Sequence, residues 1–347
     1  MQEKLSDCPK ITERLIERRV GNEVSPAAPK VSVIIPAYDV AAYIEETLDS
    51  IFAQTFKDYE VILVNDGSTD TEELKAALAP YIEKIIYAEQ KNSGASRARN
   101  AAICLSRGEL LAFLDGDDVW FPDYLDAQIN FLERENLEMV YCDALLFGEP
   151  LFAGRTFMED SPSSGAVTTA SLINADCNVI TSGTIIRKNL LEKSELFDTD
   201  LPRMQDFDLW VRLAQAKARI GYSRDCLIKY RVRRNSLSGT NIDRTARDIR
   251  SLEVVRKKHT LDAAELKIWE NRMARCRAEL ELEKGKLCLA QGDFTNAKAH
   301  IAAANNFYRK PKLSAINLLM RVSPRLTLKL FRALRPSEFS FISPDKF

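Results

Sequence analysis

Leu110-Leu111-Ala112-Phe113-Leu114-Asp115-Gly116-Asp117-Asp118 is an apolar run that ends in three carboxylates. Apolar residues at consecutive positions fit a strand buried on both faces, as in a parallel sheet. Beyond such a strand alternate residues point to one side, so Asp115 and Asp117 share a direction while Asp118 turns away. In an open α/β sheet, ligands sit beyond the carboxyl ends of the strands.

The flanking sequence repeats this pattern. Val31-Ser32-Val33-Ile34-Ile35 predicts a first strand stopped by Pro36, and Ile44, Leu48, Ile51, Phe52 and Phe56 follow at helical spacing. Val61–Val64 predicts a second strand, Glu72–Leu78 a helix ending before Pro80, Lys84–Ala88 a third strand and Ser96–Leu105 a helix broken at Gly108. Downstream come a helix over Pro122–Glu133 and a fifth strand over Met139–Tyr141. Strand–helix alternation of this kind means an α/β domain with a largely parallel, doubly wound sheet.

After about residue 150 the order changes. Pro150–Ser171, rich in Gly, Ser, Pro and Thr, reads as a long loop, Thr184–Ile186 as a strand and Asp208–Lys217 as a helix. From Asn241 onward the chain reads as mostly helical, with a hairpin of Glu279–Leu289 and Ala297–Ala304 about a turn at Gly292-Asp293. Residues 1–29 read as a charged leader ending in Ser25-Pro26-Ala27-Ala28-Pro29.

The bulk composition narrows the function. A net charge of −1 over 347 residues argues against a generic nucleic-acid binder, and no nucleic-acid partner is expected. Seven scattered cysteines with no Cys-x-x-Cys pair, and only two histidines, argue against a zinc site. Read as small buried apolar residues, the cysteines point to a reducing, cytoplasmic setting. Neither a signal-peptide run nor a membrane-spanning stretch is visible, so any membrane contact is expected to be peripheral.

Polar residues gather at three strand ends: Tyr38-Asp39, Asn65-Asp66-Gly67-Ser68 and Asp115-Gly116-Asp117-Asp118. Acids crowded on one sheet edge repel unless a cation or hydrogen-bond donors neutralise them. Hard oxygen ligands suggest Mg²⁺ or Mn²⁺ shared with a phosphate. The plainer alternative is that Asp-Gly marks turns and Asp caps helices.

Taken in order, Val33-Ile34-Ile35-Pro36-Ala37-Tyr38, Val64-Asn65-Asp66-Gly67-Ser68-Thr69-Asp70, Ala98-Arg99-Asn100, Phe113-Leu114-Asp115-Gly116-Asp117-Asp118, Gln205-Asp206-Phe207-Asp208-Leu209-Trp210 and Tyr230-Arg231-Val232 resemble the family 2 glycosyltransferases of GT-A fold. The resemblance covers about residues 30–240. It implies a GT-A catalytic domain, with a nucleotide-binding half over 30–120 and an acceptor half over 121–240, and leaves 241–347 as a helical extension.

The resemblance also implies roles. Pro36, Tyr38, Asp39 and Gly116 fall in the donor-binding motifs, and Asp66 matches the carboxylate that accepts the imide N–H of uracil. Asp115 matches a contact to ribose and metal, and Asp117 the principal metal ligand. Arg99 is a candidate to assist the leaving group or the base. Asp206 matches the general base of an inverting displacement, Asp208 is expected to be the helix N-cap, and Trp210 packing or a wall of the acceptor site. The implied donor is a UDP-sugar and the implied acceptor a glycan or lipid-linked glycan, as in cell-envelope polysaccharide synthesis.

Three positions depart from the family's pattern. Asp39 stands where Asn is usual, Gln205 where Glu is frequent, and Arg233 where a metal-binding or phosphate-facing His is common. Arginine cannot ligate a metal but pairs well with phosphate. Two other readings stay open: a nucleotidyltransferase of similar fold, although Pro36-Ala37-Tyr38-Asp39 is not a Gly-rich phosphate loop, and an inactive glycan-binding or scaffold homologue.

Between Arg309 and Arg335 the chain carries Lys310, Lys312, Arg321, Arg325, Lys329 and Arg332 interleaved with leucines, and no acid. A basic amphipathic helix suits the inner face of an anionic membrane. A packed helix with a solvated basic face fits the same pattern, and Pro324 interrupts any continuous helix.

Overall fold

The computed structural model describes residues 4–148, 154–201, 203–233 and 241–334. The chain divides into two compact units, Met1–Arg234 and Asn235–Phe347.

The first unit is built on strands β1 (Glu17–Val20), β2 (Val31–Ala37), β3 (Tyr59–Asn65), β4 (Ile86–Glu89), β5 (Leu110–Phe113), β6 (Val119–Trp120), β7 (Met139–Gly148), β8 (Thr184–Arg187) and β9 (Ile220–Val232). They form one sheet in the order β1-β4-β3-β2-β5-β8-β7-β9-β6. The block β4-β3-β2-β5 is parallel throughout, and β7 and β9 are also parallel. β1, β8 and β6 run antiparallel to their neighbours. Ala37 pairs with Asn65 and Ile34 with Phe113, so β2, β3 and β5 end at one edge.

Both faces of this block are buried, as the consecutive apolar runs require. Val33, Ile35, Val61 and Leu63 pack with Ile44, Leu48, Leu74 and Leu125 of the helices on one side. Ile34, Ile62, Val64 and Phe113 pack with Ala98, Ala101, Leu209 and Trp210 on the other. The result is a doubly wound sandwich of helices on both faces of a mixed sheet. Pro36 does not stop β2, which runs on to Ala37. It lies beyond the last β2–β5 pair, where the missing N–H breaks no ladder bond on that side.

The leader is corrected. Glu17–Val20 adds to the sheet edge at β4, pairing Glu17 with Glu89 and Val20 with Ile86. All four of its residues are exposed, so no hydrophobic alternation announced it, and its charges suit an edge strand. The helix Cys8–Thr12 packs on the helix Ala95–Leu105, and Cys8 forms a disulfide with Cys104. The reading of all the cysteines as unpaired is therefore corrected, and the reducing setting inferred from it loses that support. The two residues are 96 apart in sequence, a pairing no local spacing discloses.

The expected loop over 150–171 contains a helical turn at Phe157–Asp160 with a Thr156/Glu159 capping box, and the helix Thr169–Asn174 begins within it. Its residues 150–153 lie outside the described residues.

The second unit contains the helices Asn241–Lys258, Ala263–Ala290, Phe294–Tyr308, Pro311–Val322 and Pro324–Leu334. The hairpin turns at Gly292, whose φ of 80° suits glycine, and Asp293 caps the next helix by accepting the Asn296 N–H. A Cβ at Gly285 would stand 2.7 Å from Ile301 Cγ1, which explains glycine at that crossing. Pro324 separates the last two helices and starts the second. Arg335 lies outside the described residues. No helix among the described residues is long and apolar enough to cross a membrane.

Candidate active site

The chain leaves β5 through Leu114 into the acidic turn. Asp118 is buried and points inward: its Oδ2 accepts the Ser182 hydroxyl at 2.5 Å and its Oδ1 the Arg231 N–H at 2.8 Å. Burial, then the charges of Asp117 and Asp115, push its carboxyl well above the ordinary range. Asp117 is also raised: burial and Asp115 outweigh the opposing effect of Arg233. Asp115 stays more open, its side chain 34% exposed.

Three arginines brace this cluster. Arg99, on the helix Ala95–Leu105, is buried, donates from Nη2 to Asp115 Oδ1 at 2.5 Å and lies over the Phe197 ring. Arg233 Nη2 lies 2.5 Å from Asp117 Oδ2, and Arg231 donates from Nε to the Asp117 carbonyl while pairing with Glu46. Arg231 and Arg233 both lie over the ring of Tyr43. The Nε of Arg99 and of Arg233 have no acceptor among the described residues.

Asp206 approaches from the helix Gln205–Gln215. That helix starts after Met204, which has a left-handed φ of 58°, so Asp206 stands in the first turn. Its Oδ2 accepts the Thr181 hydroxyl at 3.1 Å. Ser182, the next residue, accepts the Asp115 N–H and donates to Asp118. The short turn Thr181–Gly183 before β8 thus joins the acidic cluster to Asp206. Tyr230 on β9 reports the same convergence. Burial, then the charges of Asp118, Asp115, Asp117 and Asp206, raise its hydroxyl far above its ordinary value.

Sequence reasoning missed Thr181 and Ser182, whose only signal is small polar residues directly before a strand. Asp208 is not the N-cap: it sits one turn into the helix, fully buried, and pairs with Arg212 at 2.9 Å. Arg212 also donates to the carbonyls of Ser194, Glu195 and Leu196, a use that apolar periodicity does not reveal. Trp210 is buried in an aromatic cluster with Phe113 and Phe197, so it packs the core.

At the neighbouring strand ends the residues hold loops together. Asp66 Oδ1 accepts from Gln90 Nε2 and Ser93 N, and Oδ2 from Gly94 N, at 2.6, 2.9 and 2.8 Å. Beside it Gly67 has φ 63°, and a Cβ there would stand 2.6 Å from Asn92 N. Asp39, at φ 51°, accepts both the N–H and hydroxyl of Thr69, tying the end of β2 to that of β3. Aspartate tolerates that left-handed backbone nearly as well as asparagine. Tyr38 is 45% exposed, and a Cβ at Gly116 would meet Val40 Cγ2 at 3.0 Å.

A divalent cation fits this donor set only as a shared ligand. No group of three or more His, Cys, Asp or Glu among the described residues forms an all-protein cage. Asp115 and Asp117 offer two carboxylates, as expected for Mg²⁺ or Mn²⁺ completed by water and phosphate. Crowding that raises Asp117 and Asp118 is what such an ion relieves.

The comparisons agree with this architecture. Over 88% of this chain and 92% of the other, the structure resembles Staphylococcus aureus TarS 1–349 in complex with UDP-GlcNAc, with TM-score 0.52 and 18% identity. It also resembles the mannosyltransferase PcManGT from Pyrobaculum calidifontis in complex with GDP-Man and Mn²⁺, with TM-score 0.59 and 19% identity over 97% and 91% of the two chains. These likenesses show the GT-A fold. An uncharacterised glycosyltransferase of Rickettsia prowazekii is 33% identical over 219 residues, 62% of this chain and 68% of the relative. The match to a similar protein of Rickettsia bellii spans only 31% of that longer relative. A family model described as Glycosyl transferase family 2 matches residues 32–193. The chain belongs to the family 2 glycosyltransferases.

Proposed function

We propose that this chain is an inverting glycosyltransferase that moves a sugar from a UDP-sugar to a hydroxyl of a glycan or lipid-linked glycan. What supports this most is the turn Thr181–Gly183, whose Thr181 holds Asp206 and whose Ser182 holds Asp115 and Asp118, so that these acids meet at the carboxyl edge of a doubly wound sheet. Held by Asp115 and Asp117, Mn²⁺ or Mg²⁺ would neutralise charge on the departing diphosphate.

The chain's own residues have complementary tasks in this reading. Arg99 and Arg233, whose Nε–H groups have no acceptor among the described residues, donate to phosphate oxygens. Asp206 Oδ2, oriented by Thr181, takes the proton of the acceptor hydroxyl. The acceptor's oxygen, having given up that proton, bonds to the anomeric carbon as the bond to the diphosphate oxygen breaks, inverting the centre. Asp66 spends three of its roughly four lone-pair positions on the protein, which leaves one for a uracil N–H.

The test is a panel of nucleotide sugars, screened with purified protein in Mn²⁺ and in EDTA. Melting temperature is followed first, then nucleoside diphosphate release. A UDP-sugar should stabilise the protein in a metal-dependent way and be consumed. Absence of both effects across the panel would sink the reading, and pyrophosphate release from nucleoside triphosphates would favour a nucleotidyltransferase.

A further inference from the structure

The last two described helices, Pro311–Val322 and Pro324–Leu334, carry apolar residues on two faces. Leu313, Ile316, Met320, Leu328 and Phe331 turn inward and pack with Leu289, Ala297 and Ile301. Leu318, Val322, Leu326, Leu330 and Leu334 stand in water at 62%, 78%, 45%, 41% and 73% exposure. Steps of four residues put Leu318 and Val322 on one stripe, and Leu326, Leu330 and Leu334 on another. Scattered exposed leucines are ordinary, but five of the nine large exposed hydrophobics among the described residues fall in these two stripes.

Charge says what covers this face. Arg321, Arg325 and Lys329 are exposed and each immediately precedes an outward apolar residue. The stretch Arg309–Leu334 has seven basic residues and no acid, in a protein whose net charge is −1. A second copy of the same face would bring cation against cation. A nucleic acid would satisfy the cations and leave the leucines in water.

We propose that this face docks on the surface of an anionic lipid bilayer, with the leucine stripes in the acyl boundary and the basic residues among the phosphates. The inward residues keep the helices folded without lipid, so the outward ones are free for docking. This inference concerns the C-terminal unit and does not rest on the transfer reaction.

The test is flotation of the full chain with phosphatidylcholine vesicles, and with vesicles that also contain phosphatidylglycerol, at low and high salt. Wild type should float with the anionic vesicles only, and less at high salt. Arg325→Gln with Lys329→Gln should lower the partition coefficient roughly 25-fold, at about fivefold per charge. Leu326→Ser with Leu330→Ser should abolish flotation while the melting temperature falls by no more than a few degrees, since both side chains are exposed and away from the packed face. Absence of flotation at low salt, or equal flotation on neutral vesicles, overturns the proposal. So does a concentration-dependent dimer in sedimentation that the leucine variants abolish.

Discussion

Arg233 Nη2 lies 2.5 Å from Asp117 Oδ2, so the residue in place of the family's histidine neutralises the expected principal metal ligand. Arginine stays charged and cannot enter the metal shell. In the proposed reading a metal and Arg233 would compete for Asp117 until a diphosphate offered the guanidinium another partner. Arg233→Gln should tighten Mn²⁺ binding without nucleotide and weaken UDP binding. A charge-assisted hydrogen bond of about 1.5–3 kcal/mol corresponds to roughly tenfold or more. Calorimetric titration of Mn²⁺, then of UDP, reads both effects; unchanged affinities would show that the pair is only structural.

Removing the carboxylate itself tests the shared metal site. Asp117→Ala should abolish the difference between UDP titrations in Mn²⁺ and in EDTA, because it removes one of the two carboxylates proposed to hold the ion. Wild-type metal dependence in the variant would shift the ligand role to Asp115 alone.

The crowded acids also set a pH dependence. Asp117 and Asp118 have raised pKa values in the folded chain, so it binds protons that the unfolded chain has already released. Between the ordinary carboxylate value and the raised one, stability therefore falls as pH rises. Metal-free protein should melt higher near pH 5 than near pH 7 through this contribution. Asp118→Asn keeps an acceptor for the Arg231 N–H and should flatten the slope. A slope that is unchanged in the variant would locate the effect in other groups.

Asp66 is more structural than its motif suggests. Asp66→Ala removes the acceptor of the buried Gln90 amide and of the Ser93 and Gly94 N–H groups. Even one unsatisfied donor costs about 1–3 kcal/mol. Thermal melting should show a loss of several degrees in addition to weaker UDP binding; a wild-type melting curve would mean that the loop re-pairs with water.

The parts of this molecule legible in its sequence are those whose signal is local. β2, β3 and β5 are consecutive apolar runs, and Asp66 and Asp115 follow them directly. β1 was hidden because Glu17-Arg18-Arg19-Val20 is exposed at every position, and its pairing depends on the free edge of β4. β9 escaped for a related reason: its long run is mostly half-buried and is interrupted by Ser223-Arg224-Asp225. Thr181 and Ser182 reach Asp206, Asp118 and Asp115 across 25, 64 and 67 positions of sequence. Asp208 looked like a cap because acids are common at helix starts, while its buried pairing with Arg212 is a tertiary feature.

The assignment of the base rests on the geometry of Asp206, and a volume-conserving change tests it. Asp206→Asn retains an acceptor for the Thr181 hydroxyl and leaves Asp115, Asp117 and Arg233 untouched. Donor affinity should stay within about twofold, since the variant removes no expected phosphate or metal contact. Transfer should fall by about 10²–10⁴, the usual contribution of a positioned base. Thr181→Val should cost less, because it disturbs the orientation of Asp206 and not its basicity. Asp208 is the other acid in the same first turns, but it is already committed to Arg212. Asp208→Asn should therefore lower the melting temperature more than it lowers turnover per folded molecule. The reverse pattern, with Asp206→Asn at wild-type rate and Asp208→Asn inactive but folded, would move the base to Asp208 and require the Arg212 pair to open during the reaction.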